Sequence, residues 1–255
     1  MWRRHLSKTR GATVARLGAE FLVIVIGVLV ALAVDRWVAA IDQRGTERAA
    51  VMALRDDFVR NREIALDKAE SERALGAMGR QLLEALEAGD SEGDATKLFL
   101  AAELSGWHNP VSYRRGSWDD LQATLGVATL SDADLRMSVS EFFGNVESLR
   151  RAEDEWLNYI LAFREEAGRH LPAEYRVRVV DWFGSLPSWA PAQWSAAPEV
   201  VEGAAVLSSM SASPELRAKL VDVIQARVGS VALHSESASQ IEELIQMMER
   251  ALAAL

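Results

Sequence analysis

An apolar run near the N-terminus constrains this chain more than any other feature. It extends from Leu17 to Val34, between Arg16 and Asp35, and Glu20 is its only charged residue. As a helix it would extend over roughly 27 Å, close to the hydrocarbon core of a bilayer at about 30 Å. Glu20 near one end can reach the interface or pair with Arg16, and Trp37 at the other end suits the interfacial aromatic belt. We therefore predict a transmembrane helix over residues 17–37.

Two other interpretations of this run stay open. Its uncharged part, Phe21 to Val34, is shorter than a typical span and has a length also found in buried core helices and in signal peptides. The run contains Ala31-Leu-Ala33, which has the small-x-small pattern of a signal-peptidase site, so the helix could be cleaved near Ala33. Both membrane interpretations export the remainder of the chain, whereas a soluble core helix would not.

The basic residues around the run predict its orientation. Five precede it and three follow closely, and basic residues favour the cytoplasmic side. They are Arg3, Arg4, Lys8, Arg10 and Arg16 before the run, and Arg36, Arg44 and Arg48 after it. We expect residues 1–16 to form a cytoplasmic basic tail and residues 38–255 to form an exported domain.

The same run is similar to the N-terminal signature of an uncharacterised family of bacterial single-span membrane proteins. In that signature an acidic residue opens an apolar run containing glycine and a tryptophan closes it, which Glu20, Gly27 and Trp37 match. A second similarity covers residues 118–136, where related proteins carry a short helix, a small-residue turn and the start of a long helix. The resemblance implies an inner-membrane protein whose bulk is periplasmic. It implies no activity.

Charge and composition exclude some functions of the exported domain. The formal net charge of the chain is −9, and residues 1–19 carry +5 with no acid, so the remaining residues carry −14 (−9 less +5). Such an acidic domain is a poor nucleic-acid binder, because phosphate contacts need a basic surface. The chain has no cysteine, which excludes disulfides, thiol catalysis and thiolate metal ligands.

Apolar residues spaced by threes and fours predict long amphipathic helices near residues 41–88, 131–166 and 213–255. We expect an all-α fold in which these three helices pack antiparallel as an up-and-down bundle with coiled-coil-like seams. Gly45 is the expected flexure in the first helix. The last helix should begin after Ser213 with Pro214 at its first position, and Arg227 interrupts its apolar stripe.

Three shorter features complete the expected architecture. Ser117 and Ser131 are each placed to cap a helix, with acidic residues in the turn that follows. Tyr175 to Val180 alternate in polarity, which suggests one short strand, although a single strand cannot form a sheet. A short helix is also expected over residues 95–104 and another over residues 199–210.

The segment 181–198 is the candidate partner-binding loop. It holds three of the eight tryptophans and three of the six prolines of the chain. Its large aromatic residues are Trp182, Phe183, Trp189 and Trp194. Their rings either attach the loop to its own bundle or form an exposed patch for a protein, an envelope glycan or a lipid. Truncation of Trp189 or Trp194 would distinguish the two, because a buried ring affects stability and an exposed ring affects capture.

The sequence nominates no catalytic residue, cofactor or metal. The four histidines stand in unlike contexts without a ligand spacing, and no nucleophile elbow, phosphate loop or dinucleotide fingerprint is present. His234 is interpreted as a partly buried seam residue. Glu72 and its acidic neighbours alternate with arginines, a pattern typical of a solvated helix face. We therefore do not expect an enzyme, although distant carboxylates that converge in space would escape this search.

Within the span, Glu20, Gly27 and Ala31 share one face of the helix. Gly27-x-x-x-Ala31 allows two helices to approach closely, so this face is a candidate contact with a second copy or a protein partner. The alternative is that Glu20 reaches the interface and pairs with Arg16. The function that we expect is a non-enzymatic, single-pass membrane protein that presents a periplasmic bundle for protein contacts or sensing. The alternative is a glycan- or lipid-binding module.

Overall fold

The computed structural model describes residues 6–89, 94–185, 198 and 203–255, with side chains described from residue 20. Over these residues the chain is all-helical and contains no strand, as the sequence predicts. The helices are α1 (Leu6–Ala88), α2 (Ala95–Ser105), α3 (Gly116–Asp120), α4 (Ala133–His170), α5 (Ala173–Gly184), α6 (Gly203–Ser211) and α7 (Pro214–Ala254).

Helix α1 is a single helix of 83 residues, about 125 Å long at ~1.5 Å per residue. Its first half, through residue 46, is exposed at almost every position whose side chain is described, including Phe21 to Val34. From Glu47 onward every third or fourth side chain is buried. The expected flexure at Gly45 is absent, since the helix is continuous through that residue. One helix therefore carries both the apolar run and the first wall of the bundle.

Helix α7 runs antiparallel to α1 and to α4, so α1 and α4 run in the same direction. The contacts between these helices show this, because the residue numbers fall along α7 as they rise along α1 or α4. The contacts are Arg48–Leu252, Arg62–Glu242, Glu72–Arg227, Glu153–His234 and Glu166–Ser213. The rings of Phe58 and Phe142 lie 5.0 Å apart between the two parallel helices. The expectation that all three long helices alternate in direction is therefore wrong for α1 and α4.

An irregular segment, residues 94–131, runs antiparallel to α1 and α4 and connects them. We call it the return segment. It consists of α2, an irregular stretch to residue 115, α3 with a π turn at Leu121–Leu125, and a 3-10 turn at Val127–Thr129. The segment descends along α1 from the level of Gly79, which lies against Ser105, to the level of Glu47, which binds Ser131. Together with α1, α4 and α7 it completes an up-down-up-down arrangement.

The apolar core consists of two clusters. The proximal cluster, nearer the exposed half of α1, is built around Phe58, Trp118, Phe142, Phe143, Ile241 and Met248. The distal cluster, at the far end of the bundle, includes Leu82, Phe99, Leu104, Phe163, Tyr175 and Leu216. Buried polar side chains lie between the two clusters, at the level of residues 61–72 of α1.

Two local predictions are corrected and one is confirmed. Residues 175–180 belong to α5 and not to a strand, and Tyr175, Val179 and Phe183 are buried at helical spacing. Neither predicted serine caps its helix, because the N-cap residue of α3 is Arg115, which makes no side-chain cap, and Asp132 caps α4. Ser213 does cap α7, accepting a hydrogen bond from the Leu216 amide at 3.1 Å, with Pro214 next.

Three polar side chains of α1 bind the backbone of the return segment. Asn61 accepts from the Arg114 amide at 2.6 Å and donates to the Arg114 carbonyl at 2.8 Å, as a neighbouring strand would. Asp57 accepts from the Ser117 amide at 3.0 Å, and Glu47 accepts from the Ser131 amide at 2.6 Å. Because a segment outside regular structure cannot pair its own peptide groups, these side chains supply the partners.

We expect Asn61→Ala to lower the free energy of unfolding by about 1–3 kcal/mol, because it removes a buried side chain that binds both the amide and the carbonyl of Arg114. The measurement is thermal or urea unfolding of the full-length protein in detergent. The matched control is Asn158→Ala on the exposed side of α4, where the change should stay within about 0.5 kcal/mol. Equal effects of the two substitutions would contradict the role assigned to Asn61.

Candidate functional site

The three residues of the predicted membrane packing face lie on the exposed half of α1. At about 100° per residue, Glu20, Gly27 and Ala31 fall within roughly 40° of one another on the helix. A Cβ atom added to Gly27 would meet nothing within 4 Å. Trp37 is 66 % exposed. The geometry therefore leaves this face open, and the packing role stays a prediction.

The aromatic segment divides between α5 and residues outside the described part of the chain. Trp182 and Phe183 belong to the last turns of α5, whereas Trp189 and Trp194 lie outside the described residues. The Phe183 ring is buried in the distal cluster, with its centroid 4.7 Å from that of Trp107 and 5.7 Å from that of Trp182. This part of the segment thus packs against its own bundle.

The buried polar side chains between the two apolar clusters form a polar layer. Its ionisable members from α1, α4 and α7 are Lys68, Glu72, Glu153, Arg227 and His234. The prediction that Glu72 lies on a solvated face is wrong, since it is only 2 % exposed. His234 was predicted to be a partly buried seam residue, and the structure buries it completely.

Glu72 is the centre of one half of the layer. Its carboxylate accepts from Lys68 Nζ at 2.7 Å and from Arg227 Nη1 at 2.7 Å. The two cations also reach the return segment, where Lys68 donates to the Asn109 carbonyl at 2.5 Å and Arg227 donates to the carbonyls of Ser105 and Trp107. The cluster therefore supplies hydrogen-bond donors to the backbone at the point where α2 ends.

The pKa of Glu72 reflects a balance between burial and its two cations. Burial raises the pKa of a carboxyl, but the charges of Arg227 and Lys68 and their hydrogen bonds outweigh that effect and hold the Glu72 pKa below its ordinary value. Glu72 is therefore ionised at neutral pH.

The other half of the layer is a chain from Tyr113 through His234 to Glu153. Burial raises the pKa of Tyr113 to about 12, and its hydroxyl lies within hydrogen-bond distance of His234 Nδ1, at 3.0 Å. His234 Nε2 is hydrogen-bonded to Glu153 Oε1, also at 3.0 Å. Both ring nitrogens of His234 are therefore paired within the layer.

The polar layer has almost no free volume. The cavity beside it, lined by residues that include Glu72, His108 and Glu153, measures about 10 Å³, which is space for about one water molecule. Burial lowers the pKa of His108, with the nearby Lys68 acting in the same direction. The arrangement is suited to holding helices and backbone in register.

An open groove lies at the proximal end of the bundle, between α1 and α3 with its π turn. Its volume is about 1390 Å³. The floor is the small-residue row Gly45, Ala49 and Ala53 of α1, and apolar walls come from Ile41, Leu121 and Leu125. Its charged lining residues, among those described, are all carboxylates: Asp42, Asp57 and Asp120. The groove begins about one helical turn after Trp37.

The sequence analysis missed the polar layer, although two signals for it were present. Asn61 falls on the apolar stripe of α1, and Arg227 falls on that of α7. A polar residue at a core position indicates a buried partner, because an unpaired buried polar group is costly. The partners themselves were not predictable, since most are backbone atoms of an irregular segment.

Comparison with known proteins adds no family, since no family model, no curated protein and no solved structure matches this chain. The described residues also contain no group of three or more histidine, aspartate or glutamate side chains placed to hold a metal ion. The described residues thus form an all-helical bundle that is continuous with a long N-terminal helix. The apolar part of this helix is long enough, and has the composition, to span a membrane.

We expect Glu72→Gln to lower the free energy of unfolding by about 3–5 kcal/mol at neutral pH, because it leaves two buried cations without their anion. A carboxyl with a lowered pKa stabilises the fold above its unfolded pKa, about 4.3, and loses that contribution as pH falls through its folded pKa. The difference between wild type and variant should therefore shrink below about pH 4. Unfolding of the full-length protein in detergent across this pH range measures it.

The matched control is Glu63→Gln, which removes an exposed carboxylate 3.0 Å from Arg60 on the same helix. An exposed pair of this kind contributes about 0–1 kcal/mol. A loss from Glu72→Gln no larger than that of the control, or one independent of pH, would contradict the account of the polar layer.

Proposed function

We propose that this chain is a non-enzymatic, single-pass protein of the bacterial inner membrane. In this proposal residues 1–16 are cytoplasmic, residues 17–37 span the membrane, and residues 38–255 form a periplasmic bundle for protein contacts or sensing. The observation that carries it is the continuity of α1, which extends without a break from an exposed apolar half into the core of the bundle. The resemblance of the run to bacterial single-span proteins supports the same topology.

The first half of α1 is apolar but is not buried by the protein, whereas the second half packs in the bundle. This difference supports an apolar environment around the first half. The stretch from Phe21 to Val34 contains no charge, and the helix window around it has none of its residues buried by the protein. A contiguous exposed apolar surface of this size is rare on soluble monomers, because transfer of apolar surface from water is favourable. A bilayer would provide the cover that the rest of the described chain does not.

The continuity of α1 also supports a role in contacts or sensing. The helix passes from residue 37 to Glu47 without a hinge and then carries Glu47, Asp57 and Asn61, which hold the return segment. A rotation or displacement of the span would therefore move the bundle with it. Conversely, a partner that tilts the bundle would act on the span.

The closed polar layer supports the non-enzymatic part of the proposal. Its ionisable groups pair with one another and with backbone, and the adjoining cavity holds about one water at 10 Å³. The alternative, a glycan- or lipid-binding module, depends on the aromatic segment. In its described part Phe183 is buried in the distal cluster, which favours attachment of the segment to its own bundle.

We expect a reporter that is active only in the periplasm to be active when fused after residue 100, and the full-length protein to resist carbonate extraction. The basic residues before the apolar run give the expected orientation. The control is the same fusion to a chain in which Ile24 and Val28 are replaced by arginine, which should prevent insertion. Cytoplasmic activity of the unaltered fusion would contradict the orientation, and release of the full-length chain into the soluble fraction would contradict the anchor.

A further inference from the structure

One face of α1 carries the same small-residue motif twice. Gly27-x-x-x-Ala31 in the apolar half is followed further along the helix by Gly45-x-x-x-Ala49 in the groove. At about 3.6 residues per turn, the two glycines are separated by a whole number of turns, so the two motifs lie on one face of an unbroken helix. The face is exposed at both motifs. It therefore forms one continuous row, from the predicted span into the groove.

The bundle itself gives no packing reason for these glycines. A Cβ atom added to Gly27 or Gly45 would meet nothing within 4 Å, whereas one added to Gly79 of the same helix would lie 3.1 Å from Ile224. A glycine inside a helix costs about 0.5–1 kcal/mol relative to alanine. A glycine at such a position usually permits the close approach of another helix. At Gly79 that helix is α7, whereas no helix of the described chain approaches Gly27 or Gly45.

The charges beside this face are self-complementary. Measured from Gly45 at about 100° per residue, Asp42 lies roughly 60° to one side and Arg44 roughly 100° to the other. When two parallel helices are related by a twofold axis, the side of one helix that carries Asp42 faces the side of its partner that carries Arg44. Asp42 would thus face Arg44 of the other copy, and the relation occurs twice.

The groove lies on the acidic flank of the face. Asp42, Asp57 and Asp120 line it without a lysine or arginine among the described lining residues, and Ile41, Leu121 and Leu125 supply apolar walls. A helix that enters it needs small or apolar contact residues and a basic flank. Residues 41–55 of α1 itself have small contact residues and a basic flank opposite the groove, where Arg44 is exposed. Arg48 and Arg55 lie on the same flank and also bind Leu252 and Glu249 of α7.

We propose that α1 pairs in parallel with α1 of a second copy along Gly27, Ala31, Gly45 and Ala49, and that each α1 enters the groove of the other copy. This inference rests on the proposed membrane anchor, because insertion of both chains in one orientation makes the helices parallel. A groove contact alone, over residues 41–57 and about 25 Å of helix, is short for a stable interface. The span and the groove act together.

The test uses disulfide formation between single-cysteine variants of the full-length chain in native membranes. The chain has no cysteine of its own, so every cross-link reports the introduced residue. With a mild oxidant, Ala49→Cys should give at least several-fold more covalent dimer than Gln43→Cys. Gln43 is also exposed but lies about 120° from Ala49 on the same helix. Equal cross-linking at the two positions would overturn the proposed face.

A charge exchange on the Ala49→Cys background tests the pairing of the flanks. Asp42→Arg and Arg44→Asp should each reduce the cross-linked fraction several-fold, because each places like charges opposite one another. The double exchange should restore it. Both side chains are exposed, so the substitutions leave the bundle core untouched. Unchanged cross-linking in both single variants would overturn the twofold arrangement.

The two proposals fail in distinguishable ways. If the chain stays in the carbonate-washed membrane but Ala49→Cys gives no dimer, the paired helices are wrong and the anchor stands. If the chain leaves the membrane fraction, the anchor itself is wrong. A cross-link of Ala49→Cys to a protein of another mass would show a different occupant of the groove and would also overturn self-association.

Discussion

This fold depends on hydrogen-bond partners for the peptide groups of the return segment, because part of that segment crosses the bundle without regular structure. The return segment descends between long helices but has no regular structure over residues 106–115. Its amides and carbonyls meet side chains of α1 and α7 instead of a neighbouring strand. Asn61 binds both peptide groups of Arg114, and Lys68 and Arg227 bind carbonyls near the end of α2. The long helices thus hold an irregular segment through specific polar contacts.

The polar layer follows from that constraint. Once Lys68 and Arg227 are buried to serve the return segment, Glu72 is needed between them, because two buried cations without an anion would be far more costly. The layer also divides the apolar core, and a slip of one turn between α1 and α7 would separate Arg227 from Glu72. Fixing the register in this way makes the bundle a stiff continuation of α1. A stiff helix is in turn what both the membrane proposal and the paired-helix proposal require.

The sequence predicted the features that depend on periodicity and local chemistry. The long helices, the cap at Ser213 and the burial of His234 follow from spacing and from residue type near each position. The direction of α4 and the burial of Glu72 did not follow, because both depend on a return segment with no periodic signal of its own. Residues 175–180 were misassigned for a related reason: alternation over a short stretch does not distinguish a strand from a helix that buries one residue per turn. For the candidate sites, the Gly27 face was nominated from the sequence and stays a prediction, whereas the groove appears only when α3 lies against α1.

Hydrogen exchange at the amides of Arg114, Ser117 and Ser131 tests the central claim most directly. Each of these amides is bound by a side chain of α1, namely Asn61, Asp57 and Glu47. Measured by NMR on the full-length protein in detergent, all three should exchange as slowly as core amides of α1, and Asn61→Ala should release Arg114 while Ser131 stays protected. Exchange of all three at the rate of an exposed loop would contradict the account, because the return segment would then not be held by α1.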